Sequence, residues 1–169
     1  MKKTYVTLLI LLSLLVSTGA AGMSDQRNFT APLSGDAERP DPVDTNATGV
    51  GIFHLSQDGT ELSYKLIVAN IENVLQAHIH CGSAEVAGPV VAFLYPSGPP
   101  PVLIPGRSDG ILAEGTITAG DVIPRPDSPA CPGGLADFDD LLAKMRSGDA
   151  YVNVHTVQFP GGEIRGQIK

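Results

Sequence analysis

From Asn28 onward the chain alternates apolar and polar residues in short runs, and turn-forming residues interrupt it about every ten positions. Period two belongs to a strand with unlike faces, so this pattern commits most of the chain to β structure. The runs fall at residues 49–56, 61–68, 73–80, 89–95, 111–118, 150–156 and 163–169. In the second of them Leu62, Tyr64, Leu66 and Val68 share one face, and Gln57-Asp58-Gly59 before it is a hairpin turn. One stretch departs from period two. Residues 135–146 carry Leu135, Phe138, Leu141, Leu142 and Met145 at helical spacing, and Ser147-Gly148 ends them. With 19 Gly and 14 Pro in 169 residues, a coiled coil is excluded. A mean hydropathy of +0.11 excludes general disorder. The expectation is an all-β fold, an antiparallel Greek-key sandwich or barrel of about eight strands with one short helix. An open sheet capped by the helix leaves more edge to protect and is the second choice.

The beginning of the chain reads differently. Met1-Lys2-Lys3 is a basic start, residues 6–16 are almost purely apolar, and Ser17-Thr18-Gly19-Ala20-Ala21 supplies small residues for cleavage. Residues 1–21 are therefore expected to be a signal peptide, and residues 28–169 the mature domain, secreted or periplasmic. The apolar run is too short to span a bilayer, so no stable membrane anchor is expected. The formal net charge of −7, without any run of Lys or Arg, argues against nucleic acid as a partner. The sequence names no partner protein.

Two cysteines, Cys81 and Cys131, suit an oxidising compartment. Bridging them closes a loop of about 50 residues and is worth about 4 kcal/mol in the chain-entropy model. A thiolate metal pair or a redox couple is the other use for two cysteines, but the spacing is nothing like Cys-x-x-Cys.

Three segments carry chemistry. In Ala77-His78-Ile79-His80-Cys81-Gly82, two histidines two residues apart on a strand share a face, their Cα atoms roughly 6.6 Å apart. Tyr151, Asn153 and His155 form the polar face of residues 150–156, with Val152 and Val154 opposite. Glu163, Arg165 and Gln167 alternate with Ile164 and Ile168 in the last run, which a compact turn joins to the one before as a hairpin. If the His-x-His strand lies beside that hairpin, His78, His80 and His155 share one surface and form a three-histidine metal site. Copper suits such a site best and zinc next. Tyr151, Asn153 and Glu163 are then expected to orient the rings, and Arg165 to attract an anion or pair with Glu163. The same groups can instead brace the sheet by bonding to one another. His54 is read as structural. Sequence signatures of hydrolases, phosphate loops and dinucleotide-binding folds are missing.

Together these segments, with Leu33-Ser34-Gly35-Asp36-Ala37-Glu38-Arg39-Pro40, Gly88-Pro89-Val90-Val91 and Phe159-Pro160-Gly161-Gly162-Glu163, resemble the CHRD domain, first named from chordin. The resemblance spans the whole mature chain. It implies a secreted binding module without a set catalytic activity. A weaker similarity links the chain to copper/zinc superoxide dismutase. There His78 and His80 stand for the copper pair, His155 for a further copper ligand and Arg165 for the anion-guiding arginine. Four histidines in total are too few for that family's paired copper and zinc sites. The alternative function this implies is a mononuclear copper oxidoreductase or superoxide-handling enzyme.

Overall fold

A computed structural model describes residues 26–169, so the leader expected over residues 1–21 lies outside the described residues. Seven strands run in the order β1 (Asn28–Ser34), β2 (Thr48–Leu55), β3 (Leu62–Cys81), β4 (Val90–Tyr95), β5 (Ile104–Ile117), β6 (Ala150–Thr156) and β7 (Ile164–Gln167). One helix, α1 (Phe138–Ser147), precedes β6. Every pairing is antiparallel. The order β2-β1-β7-β6-β3, with β2 also bonded to β3, closes five strands into a barrel, and β4 and β5 extend the sheet from β3. All-β, antiparallel and barrel-like, the fold is the expected one. Among the described residues no helix is long and apolar enough to cross a membrane.

The strands differ from the expected runs at three places: β1 lies outside them, β5 begins seven residues before its run, and two runs are joined in β3. The alternation predicts two strands over residues 61–68 and 73–80, and the structure makes them one strand of 20 residues. Asn70 and Asn73, which look like turn residues, instead take positive φ values of 59° and 53° inside β3. Register shifts against β5 occur at these residues, so each is a bulge that bends the strand without ending it. Asn tolerates this left-handed conformation better than most residues. The Asn73 Oδ1 accepts from the Gly106 N–H at 2.9 Å, and the Asn70 N–H donates to Asp109 at 2.7 Å. The bend lets one strand close the barrel. Residues 62–69 pair with β2, residues 62–74 with β5, residues 74–81 with β6 and residues 77–80 with β4.

The barrel core gathers Phe29, Leu33, Phe53, Leu62, Leu66, Ile79, Val152, Val154 and Ile164, all buried. The helix begins three residues later than its apolar stripe suggests, because Asp137 caps it by accepting from the Asp140 N–H at 3.0 Å. Gly148 closes it in the left-handed conformation, and Leu141 and Met145 bury against the same core. Cys81, at the end of β3, lies at disulfide distance from Cys131, with Cα atoms 5.2 Å apart.

Candidate metal centre

Strand pairing fixes where the polar side chains go. β3 and β6 are in register at His78↔Asn153, His80↔Tyr151 and Gln76↔His155, and β6 meets β7 at Asn153↔Arg165. The pairs between them, Ile79↔Val152 and Ala77↔Val154, belong to the barrel core. His78, His80 and His155 therefore stand on the opposite side of the same sheet. Nitrogen atoms of the three rings all lie within 4.8 Å of one another. That side of the sheet is not open to water: the exposures are 3% for His78, 7% for His80 and 6% for His155.

Backbone carbonyls set the ring orientations. His80 Nδ1 donates to the Gly88 carbonyl at 2.9 Å, and His155 Nδ1 donates to the Pro160 carbonyl at 3.0 Å. A carbonyl accepts only, so both rings carry their proton on Nδ1 and leave Nε2 with a free lone pair. The approach of Gly88 requires glycine, since a Cβ there would fall 1.7 Å from the Cys81 carbonyl oxygen. His78 Nδ1 sits 3.3 Å from His155 Nε2. Two metal–nitrogen bonds of about 2.0–2.1 Å span roughly that distance at a tetrahedral angle. The Nε2 atoms of His78 and His80 are buried and without a hydrogen-bond partner. Unpartnered buried nitrogens are costly unless something absent from a bare protein chain completes them.

Aromatic walls surround the rings. Tyr151 stacks on His80 with centroids 4.9 Å apart and planes 12° apart, and Phe93 packs edge-on against His78 at 4.8 Å. Burial, reinforced by the neighbouring imidazoles, drives His78 down to about 3. Burial likewise lowers His80 to about 4, against the opposing pull of the Gly88 carbonyl, and lowers His155. All three are neutral at neutral pH, the state in which imidazole binds metal.

The four flanking residues are all buried and close by, but not in the roles expected of them. The ring-orienting bonds expected from Tyr151, Asn153 and Glu163 come instead from the two carbonyls. The reason is geometric: side chains two apart on a strand stand side by side, whereas Nδ1 of His80 and of His155 turns toward the loop that covers it. The Tyr151 hydroxyl accepts from the Gly88 N–H at 2.9 Å, holding the carbonyl that holds His80. Asn153 donates to Glu38 at 3.2 Å. Glu163 accepts from Thr45 and Thr156, each at 2.7 Å. Arg165, 1% exposed, does not pair with Glu163. Its guanidinium lies 3.5 Å over the Tyr151 ring and donates to the carbonyls of Ser83 and Val86. His54 is exposed on β2 and meets Asn28 at 2.7 Å, away from the cluster.

Phe93 has no sequence signal as a site residue, and Gly88 and Glu38 enter only through the segments that carry the family resemblance. Glu38 is 3% exposed, and burial pushes its carboxyl up to about 7. Its only sequence signal is an acid placed in a short Gly- and Pro-bounded motif. A family model described as the CHRD domain matches residues 29–168. No curated protein and no solved structure matches the chain.

Proposed function

The chain belongs to the CHRD domain family, and from that premise we propose that it is a secreted or periplasmic, non-enzymatic binding module that holds a metal ion through His78, His80 and His155. Copper is the first choice for three imidazole nitrogens and zinc the second. The observation that carries the reading is the convergence of the three buried rings, one nitrogen of each within 4.8 Å of the others, with the Nε2 of His80 left without a hydrogen-bond partner. Tyr151 and Arg165 support the ligands from behind: one fixes the Gly88 loop, the other ties residues 83–86 over the site. Asn153 and Glu163 brace the next ring of contacts, through Glu38 and through Thr45. The cysteine pair supports an oxidising compartment.

A copper oxidoreductase on the same histidines requires a coordination position that substrate reaches. Exposures of 3 to 7% for the three histidines favour holding an ion over turning one over. Metal analysis tests the central claim. Protein incubated with copper and desalted is expected to retain one equivalent, and His80→Ala and His155→Ala to retain none. Equal retention by wild type and both variants overturns it.

A further inference from the structure

We infer that the ion held here is monovalent copper, Cu(I), bound by three imidazole nitrogens, and that Cu(II) and zinc bind far more weakly. The inference rests on the reading of the site as a metal centre and assigns that centre an oxidation state.

Ligand number is the first argument. Zinc in a closed protein site takes four ligands, and Cu(II) takes a tetragonal set. Cu(I), a filled-shell ion of low charge, is satisfied by two or three donors. The cluster offers three. The other donors nearby in sequence or space do not join the cluster. Cys81 follows His80 directly but is joined to Cys131. Both oxygens of Glu163 accept from threonine hydroxyls; Glu38 accepts from Asn153 through one oxygen, leaves the other unpartnered, and lies outside the group of residues that cluster with the histidines. Water is a poor substitute for the missing donor, because the Phe93 edge and the Tyr151 face pack directly on two of the rings.

Charge is the second argument. Three neutral imidazoles bring no anion to offset the ion, and all three are at least nine-tenths buried. The desolvation cost of an ion grows with the square of its charge, so a divalent ion suffers about four times the penalty of a monovalent one. A fixed cation adds to that bias: Arg165 lies over the ring that stacks on His80. The guanidinium adds positive charge where a divalent ion would gain from a carboxylate.

The test titrates the folded protein without oxygen, using Cu(I) in competition with bicinchoninate, and separately with Cu(II) and with zinc under matched chelator competition. Cu(I) is expected to bind at least about a hundredfold more tightly than either. The loaded wild type is expected to be silent in electron paramagnetic resonance and to show three nitrogen neighbours by X-ray absorption, with no fourth. That spectrum decides the ligand set on the native chain, whatever the folding of any variant. Zinc or Cu(II) binding as tightly as Cu(I), or a tetragonal Cu(II) signal that survives ascorbate, overturns the oxidation state and leaves the metal centre standing. Retention of none of the three ions, or Cu(I) bound without nitrogen neighbours, overturns both.

Discussion

The two halves of β3 are the same strand doing different work. In the first half buried and accessible residues alternate: Leu62, Leu66 and Val68 point into the barrel, while Ser63 is exposed and Lys65 reaches the exposed Glu114 at 3.2 Å. In the second half the alternation of side-chain type continues, but the alternation of burial stops, and Ala77 through Cys81 are all buried. The loops carrying Glu38 and Gly88, strand β4 with Phe93, and the turn at Pro160 cover the polar face there. A polar face that is buried must find partners for every group. Where two ring nitrogens find none, a ligand is the physical expectation.

That contrast can be broken most severely at the end of the strand. Replacing Cys81 and Cys131 by serine removes the link between the His-bearing half and the loop before α1. The expected loss is about 4 kcal/mol, read as a lower urea midpoint. An unchanged midpoint would show that the covered face holds itself.

Paired charge removals on the two halves come next. Arg165→Met strips a buried cation from two backbone carbonyls and an aromatic face, and is expected to cost about 3 kcal/mol. Lys65→Met removes a solvent-screened ion pair and is expected to cost under about 0.5 kcal/mol. Equal losses in thermal denaturation would erase the distinction between the halves.

Acid sharpens it further in the metal-free protein. Unfolded imidazoles take up protons near 6.5, whereas His78 and His80 in the fold resist until about 3 and 4. As pH falls below 6.5 the unfolded chain gains protons that the fold refuses, so stability drops toward pH 4. Glu38 works in the other direction. Its folded pKa of about 7 against an unfolded 4.5 adds stability below 4.5 that is lost as pH rises to 7. Two or more histidines outweigh one carboxyl, so the net slope between pH 6.5 and 4.5 follows the imidazoles. Glu38→Gln is expected to steepen the slope, and His78→Gln with His80→Gln to flatten it, in denaturant midpoints measured across that range.

The smallest effect on the covered half belongs to one hydroxyl. Tyr151→Phe keeps the ring on His80 but frees the Gly88 N–H, with an expected cost of about 1 kcal/mol. No change would mean that steric contact alone places Gly88.

Much of this arrangement is readable from residues alone. The phase of His78, His80 and His155 relative to Ile79, Val152 and Val154 follows from period two, and so does the terminal hairpin. The union of the two halves of β3 does not, because Asn70 and Asn73 have the composition of a turn and the geometry of bulges. Burial of the polar face is also hidden. It depends on loops brought from residues 34–47 and 82–88, whose packing no local pattern encodes. Hydrogen bonding by backbone carbonyls is invisible for the same reason: any residue can supply one, and only the close approach at Gly88 leaves a trace in residue type.

The stacking of Tyr151 on His80 has an optical consequence. The chain has no Trp and four Tyr, so its near-ultraviolet emission comes from tyrosine. One of these fluorophores lies 4.9 Å from the ring of a proposed ligand, well inside the range of collisional and electron-transfer quenching by a bound transition ion. The protein thus carries its own label. Light emitted by Tyr151 reports on the centre directly, without a dye, a tag or an added chromophore.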